Sequence, residues 1–176
     1  MITVREIDRQ HKSDIRLSNE PFRLFGRIVP SYRDGKWNNE LIRYAPEDVS
    51  EMCFPDEGYD YDAMPDSVFI GAYDGEACIG FLLLQPGHFR YMYIADLKVN
   101  SAYRRRHVGR MLIDKAKEAA ARRGYSGLWL QCQDDNPGAF LFYMDCGFRI
   151  GGLDTDVYLH TKQEGKADIL LYCEND

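Results

Sequence analysis

The sequence contains no apolar run approaching the ~18 residues needed to cross a bilayer. Met1-Ile2-Thr3-Val4-Arg5 opens like a strand, with no apolar signal segment behind it. A membrane partner is therefore not expected, and the cytoplasm is the expected location. Cysteine is sparse: Cys53, Cys78, Cys132, Cys146 and Cys173 form no CxxC pair and are odd in number, which argues against a zinc site and a complete disulfide framework. No metal is expected, and most of the five read as small buried hydrophobes. Positive charge is also short. Lys and Arg number 22 against 28 Asp and Glu, a net charge of -6, so a nucleic-acid partner, which needs a basic face, is not expected. Repeats and low-complexity tracts are missing too. What remains is 176 residues of ordinary hydrophobic content, 45%, enough for one soluble domain over residues 1–176 with one sizeable core.

Punctuation and periodicity order that domain. Residues 2–7 read as a short strand, and residues 22–32 and 37–44 flank Arg33-Asp34-Gly35-Lys36, a hairpin turn signal. Residues 68–73 and 77–85 form a second hairpin around Asp74-Gly75-Glu76, and residues 91–99 add a strand. An amphipathic helix follows over residues 108–123, with Met111, Leu112, Ile113, Ala116, Ala119 and Ala120 on its apolar stripe. Residues 127–133 are apolar enough for a central strand. Asn136-Pro137 reads as a helix cap with proline in the first turn, Gly147 closes that helix, and strands at 148–158 and 168–172 finish the sheet. Antiparallel strands followed by strand-helix-strand-helix-strand predict a mixed α/β sheet with few helices. The apolar residues 168–172, read as an outer strand, offer an edge for a homodimer.

Two charged segments stand out. The run Asp96-Leu97-Lys98-Val99-Asn100-Ser101-Ala102-Tyr103-Arg104-Arg105-Arg106-His107-Val108-Gly109-Arg110 passes from a strand through a basic turn into the start of a helix. The first N–H groups of a helix lack intrahelical partners and carry the positive end of the macrodipole, so a pyrophosphate fits there while the arginines add charge. The second segment, Asp56-Glu57-Gly58-Tyr59-Asp60-Tyr61-Asp62-Ala63-Met64-Pro65-Asp66, alternates carboxylates with tyrosines and holds no Lys or Arg. It is not expected to pack as a core element. Two readings stay open: a solvated loop, or a collar in which Asp60 and Asp62 draw a polycationic substrate toward the site. Each exposed pair contributes at most about 1 kcal/mol, but the summed field raises the on-rate.

The pattern Arg-x-x-x-x-Gly after Leu-x-Val, formed here by Leu97, Val99, Arg104 and Gly109, resembles the acyl-CoA signature of the GNAT superfamily of N-acetyltransferases. His107 stands where the family usually has its first glycine. If the backbone there needs a positive φ, histidine costs roughly 1 kcal/mol or more. The resemblance implies a GNAT-like fold: a mixed, mostly antiparallel central sheet splayed at the cofactor site and flanked by helices, with acetyl-CoA as cosubstrate. It implies that Leu97, Lys98 and Val99 hold the pantetheine arm, with backbone groups of Leu97 and Val99 polarising the thioester carbonyl. Arg104, Arg105, Arg106, His107, Val108, Gly109 and Arg110 then hold the pyrophosphate. Asp96, beside the acetyl group, is implied to hold the acceptor ammonium or to take its proton. A lysine-like amine of pKa about 10.4 is only about one part in a thousand neutral near pH 7.4, so deprotonation costs on the order of 4 kcal/mol. Read from the residues alone, Asp96 is equally a carboxylate at a strand end.

The stretch Asn136-Pro137-Gly138-Ala139-Phe140-Leu141-Phe142-Tyr143-Met144-Asp145-Cys146-Gly147-Phe148 resembles a second family motif, in which Asn and Tyr precede a closing Gly-Phe. By that resemblance Tyr143 protonates the leaving thiolate and Asn136 bonds to the pantetheine arm. A phenol of pKa about 10 lies near a thiol's value of about 8.5, which keeps that transfer within reach. Without the motif, Tyr143 reads as a core aromatic among Phe140, Phe142 and Met144. Phe54-Pro55-Asp56, residues 69–80, Gly127-Leu128-Trp129-Leu130 and Gly151-Gly152-Leu153-Asp154-Thr155-Asp156-Val157-Tyr158 further resemble the streptothricin and nourseothricin acetyltransferases. That likeness implies acetylation of a primary amine on the β-lysine part of streptothricin, a polycationic small molecule, and hence antibiotic resistance. Two alternatives remain: the same chemistry on an aminoglycoside, polyamine or protein N-terminus, or a non-catalytic acyl-CoA-binding module.

Overall fold

A computed structural model describes residues 1–175. In chain order the strands and helices are β1 (Ile2–Glu6), β2 (Phe22–Leu24), β3 (Gly26–Arg33), β4 (Lys36–Arg43), β5 (Ser50–Met52), β6 (Val68–Asp74), β7 (Ala77–Gln85), β8 (Tyr91–Val99), α1 (Val108–Arg122), β9 (Gly127–Gln133), α2 (Pro137–Asp145), β10 (Arg149–Asp154) and β11 (Asp168–Glu174). Short 3-10 turns at Arg9–Arg16, Pro46–Asp48 and Ser101–Tyr103 carry no periodic signal and were not expected. The chain forms two compact units. One comprises Met1–Glu20, Phe54–Trp129 and the end from Glu174, and the other comprises Pro21–Cys53 and Leu130–Cys173. Strand β9 contributes residues to both.

In the first unit the strands lie in the order β1-β6-β7-β8-β9, antiparallel at each step except the last. Strand β7 is buried from Ile79 to Leu84, as an unbroken apolar run requires of a strand covered on both faces. On one face α1 lays down Val108, Leu112, Ile113, Ala116, Ala119 and Ala120, each buried Leu or Ile stabilising by about 1.5–3 kcal/mol. Gly80 lets the helix approach, since a Cβ there would stand 3.2 Å from both Leu112 Cδ1 and Val108 Cγ1. The opposite face, reached by alternation along β7, presents Phe81 and Leu83 to a cluster with Ile7, Ile15 and Phe69.

The acidic segment packs on that cluster, contrary to expectation. Tyr59, Tyr61 and Met64 lie against it, Tyr61 stacks on Phe69 at 5.1 Å, and the Tyr61 hydroxyl donates to the Ile7 carbonyl at 3.2 Å. The alternation is the reason: the tyrosines turn inward while Asp60 and Asp62 stay exposed.

In the second unit β3 and β4 form the expected hairpin, with Arg33↔Lys36 the last pair before the turn, β2 pairs with β5, and β11 lies between β9 and β10. Strand β11 therefore offers no edge, and the dimer contact expected through residues 168–172 is not open to it. Helix α2 starts at Pro137, with Asn136 Oδ1 accepting the Ala139 N–H at 3.1 Å, and its exit is the left-handed Gly147, φ +90°, a conformation glycine adopts without penalty. Strand β10 stops at Asp154 rather than at 158. Asp154 Oδ1 accepts the N–H groups of Asp156 and Val157, each at 3.0 Å, a local turn that competes with the ladder. Cys132, Cys146 and Cys173 are buried, Cys78 is half-buried and Cys53 is exposed, and no disulfide joins any of these five. Among the described residues no helix is long and apolar enough to cross a membrane.

Candidate active site

The pleat of β8 sorts its side chains onto two faces. Its register against β7 runs Leu83↔Asp96, Leu82↔Leu97, Phe81↔Lys98 and Gly80↔Val99. Residues directly opposite share a face, so Leu97 and Val99 lie on the α1 side with Gly80, and Asp96 and Lys98 lie on the Phe81 side. The parallel ladder to β9 is short, running only from Tyr91↔Gly127 to Tyr93↔Trp129. Beyond it β8 continues along β7 to Val99.

The chain then enters the basic turn. The Arg104 Nε donates to the Val99 carbonyl at 3.1 Å, and its guanidinium lies 3.7 Å from Glu20 Oε2. That same Glu20 oxygen accepts the Ser101 N–H at 2.6 Å. Glu20 stands far away in sequence and carries no motif, so nothing in the sequence pointed to it. Arg106 lies over the Tyr103 ring at 5.0 Å, and the Tyr103 hydroxyl donates to Asp74 at 3.1 Å. Arg105 and His107 both take left-handed backbone, with φ of +58° and +62°. The position at which the signature usually has glycine does require a positive φ. Histidine is among the residues that tolerate it, at a cost of about 1 kcal/mol.

His107 makes no side-chain cap to α1, and the first helical bond runs from the Met111 N–H to the His107 carbonyl at 3.0 Å. The N–H groups of Val108 and Gly109 thus have no intrahelical acceptor. Donors, dipole and exposed Arg105 and Arg106 are what a bound pyrophosphate needs.

Asp96 and Lys98 form an ion pair on the other face, with Nζ 3.0 Å from Oδ2 and side-chain exposures of only 12% and 9%. The Tyr59 hydroxyl donates to Asp96 Oδ2 at 3.3 Å, and Glu57 Oε2 is 3.7 Å from the Lys98 ammonium. Burial pushes the Asp96 carboxyl above the usual carboxylate range, and the charge and hydrogen bond of Lys98 act against that rise. Burial, and then the Asp96 charge, pushes the Tyr59 phenol up as well. The family resemblance places Lys98 with the cofactor residues. Its ammonium is instead committed to Asp96 and Glu57, because strand alternation turns it away from the face that Leu97 and Val99 occupy.

The two collar aspartates differ from one another. Asp60 Oδ1 accepts the Asp62 N–H at 3.0 Å within the turn. Asp62 is countered from outside the segment by Lys12 at 2.7 Å and Arg9 at 3.1 Å. The hydrogen bond from Lys12 is the main reason its carboxyl is held below the usual range.

In the second unit, the cap of α2 engages the Asn136 side-chain oxygen. Tyr143 is 9% exposed, tilted against Phe142 at 5.1 Å and edge-on to Phe148 at 5.4 Å, so it is both a packed aromatic and the tyrosine of the motif. Tyr158, from the Gly151 to Tyr158 run, donates to buried Asp168 at 2.7 Å and accepts from Gln133 at 2.9 Å.

Residues 36–148 match the acetyltransferase (GNAT) family. Streptothricin acetyltransferase A of Bacillus subtilis (strain 168) is 28% identical over 169 residues, covering 96% of this chain and 98% of that protein. Streptothricin acetyltransferase of Streptomyces lavendulae is 33% identical over 133 residues, covering 74% of this chain and 69% of that protein. A Bacillus anthracis str. Ames protein, solved in complex with acetyl coenzyme A, superposes with a TM-score of 0.87 at 27% identity over 100% of this chain and 99% of its own. Nourseothricin acetyltransferase superposes with a TM-score of 0.80 at 25% identity, covering 99% of each chain.

Proposed function

The chain belongs to the GNAT family of acetyltransferases, and from that premise we propose that it moves the acetyl group of acetyl-CoA onto a primary amine of streptothricin, in the cytoplasm, as one acetyltransferase domain over residues 1–176. The observation that carries this reading is the continuity of β8 with the basic turn. A strand whose ladder to β9 ends after three pairs leads within a few residues to a left-handed turn and a helix start without a side-chain cap. The substrate class is supported by the streptothricin acetyltransferases that the chain resembles over most of its length.

Bound acetyl-CoA supplies a thioester carbonyl open to attack. Backbone groups of Leu97 and Val99 hold the pantetheine arm and polarise that carbonyl, and the Asn136 amide adds a further contact. Arg105, Arg106, Arg110 and the N–H groups of Val108 and Gly109 hold the pyrophosphate. Arg104 shapes the turn through Val99 and Glu20 as well as adding charge. Asp96 accepts a proton from the acceptor ammonium. The freed nitrogen forms the C–N bond, the C–S bond breaks, and the amine's second proton passes to solvent. The family motif assigns protonation of the departing thiolate to Tyr143. With a phenol near 10 and a thiol near 8.5, that last transfer is uphill by about 2 kcal/mol, recovered when solvent reprotonates the phenolate. Of the two collar aspartates Asp60 contributes more to the steering field toward a polycation, since Lys12 and Arg9 offset the charge of Asp62.

The test is thiol release from acetyl-CoA in the presence of streptothricin, an aminoglycoside, a polyamine and a peptide. Streptothricin is expected to give the fastest amine-dependent release. Strong release with the peptide and none with streptothricin would overturn the substrate assignment, and release that is independent of any amine would overturn the transfer itself.

A further inference from the structure

Resting on the acetyl-transfer reading, we propose that Lys98 is a positioning residue that keeps the Asp96 carboxylate ionised and oriented toward the acceptor amine, with Tyr59 completing the clamp. Placement comes first. Asp96 and Lys98 are two residues apart on a strand, hence on one side of the pleat, opposite Leu83 and Phe81. The Lys98 ammonium is 3.0 Å from Asp96 and 5.6 Å from the centre of the Phe81 ring, so the pair sits on apolar ground. Two charges buried in such a place rarely add stability over apolar side chains of the same size. The pair therefore asks for a reason in function.

The groups facing Asp96 supply that reason. Lys98 comes from β8 itself, Tyr59 and Glu57 come from the acidic segment, and the neighbours from β7, Phe81 and Leu83, are apolar. Desolvation favours a protonated Asp96, and a carboxyl that already holds a proton cannot take one from an ammonium. Lys98 opposes desolvation from 3.0 Å, and the Tyr59 hydroxyl donates to the same carboxylate oxygen at 3.3 Å. Glu57 Oε2 lies 3.7 Å from the Lys98 ammonium and its charge works against ionisation of Asp96, so Lys98 opposes both burial and Glu57. Lys98 thus acts through Asp96, without touching either substrate.

The decisive measurement is the carboxyl carbon resonance of Asp96 followed by NMR as a function of pH, with no substrate present, in the wild type, Lys98→Met, Lys98→Arg and Tyr59→Phe. In Lys98→Met the Asp96 midpoint is expected to rise by about one pH unit or more, and in Lys98→Arg to return close to wild type. Acetyl-CoA affinity by calorimetry should stay within about twofold, and the acid limb of kcat/KM should move with the NMR midpoint. An unmoved midpoint, or acetyl-CoA affinity weakened about tenfold, overturns the assignment and returns Lys98 to the cofactor site. If Lys98→Met does not fold, Tyr59→Phe carries the test: it should raise the midpoint by a smaller amount, and no rise there overturns the clamp. Because the titration needs no turnover, failure to acetylate streptothricin would sink the substrate reading and still leave this inference decided.

Discussion

Asp96 and Asp62 each face a lysine, at 3.0 and 2.7 Å, yet their carboxyls shift in opposite directions. Asp62 lies at the surface, where desolvation is slight and the hydrogen bond from Lys12 dominates, so its carboxyl is held low. Asp96 lies under the acidic segment, where desolvation outweighs a cation at nearly the same distance, so its carboxyl is held high. Burial, rather than the partner, decides the sign. The linkage follows. Asp62 lends stability above the ordinary carboxylate pKa and loses it as pH falls through its lowered value. Asp96 binds its proton more tightly when folded, so its ionisation subtracts stability as pH rises from the ordinary value through the raised one. A surface ion pair and a buried one of the same composition thus contribute slopes of opposite sign, and the buried one is the pair that the proposed mechanism uses.

The largest expected effect is at the buried pair. Asp96→Asn removes the proton acceptor while keeping the shape, and kcat/KM for the amine should fall by about 10²–10⁴-fold, with acetyl-CoA affinity little changed. Retention of more than a tenth of the activity would mean that water, not Asp96, takes the proton, and the contrast with Asp62 would then concern stability alone. Next in size is stability itself. Lys98→Met should destabilise the fold by about 3 kcal/mol near pH 8, where Asp96 is left charged without its cation, and by less at acid pH, where it can be neutral. The double variant Lys98→Met with Asp96→Asn should recover most of that loss. Denaturant melts of the three variants at two pH values check both points, and a double variant no more stable than Lys98→Met would show that the lysine stem packs for its own sake.

These contrasts also mark how far the sequence could be read. Local signals carried most of the fold. The Asp-Gly turn after β6, the apolar run of β7, the stripe of α1 and the Asn136-Pro137 cap each depend on neighbours a few residues apart, and each appears where expected. His107 was legible in the same way, because a missing glycine in a left-handed position is a local matter. The charge network was not legible, because its members meet only through packing. Nothing near Asp62 in the sequence announces Arg9 and Lys12, which arrive from the turn after β1. Lys98 invited grouping with the arginines by proximity, although alternation along β8 sends it to the opposite face from Leu97 and Val99. Expecting that the acidic segment would not pack on the core erred for a related reason: composition averaged its tyrosines with its carboxylates, whereas the cluster beneath takes up the tyrosines and leaves Asp60 and Asp62 exposed. The shortened β10 and the interior place of β11 depend on a single side-chain turn at Asp154 and on strand order, neither of which periodicity reports.

The smallest expected effect is at the exposed pair of aspartates, and it has a signature of its own. Asp60→Asn with Asp62→Asn removes two surface carboxylates, one tied into a turn and one already countered by two cations. Their remaining influence on a polycation is a long-range field. Such a field is screened over about 10 Å at 0.1 M salt and about 3 Å at 1 M. KM for a polycationic acceptor should therefore rise about two- to fivefold at low ionic strength and return to the wild-type value at high salt, with kcat unchanged. Lys12→Met tests the same field in the opposite direction: freeing Asp62 from one of its cations should lower that KM slightly, again only at low salt. A loss in the double variant that persisted at high salt would mean that these aspartates touch the substrate, and the distinction between a steering surface and a buried reacting pair would have to be redrawn with Asp60 on the reacting side.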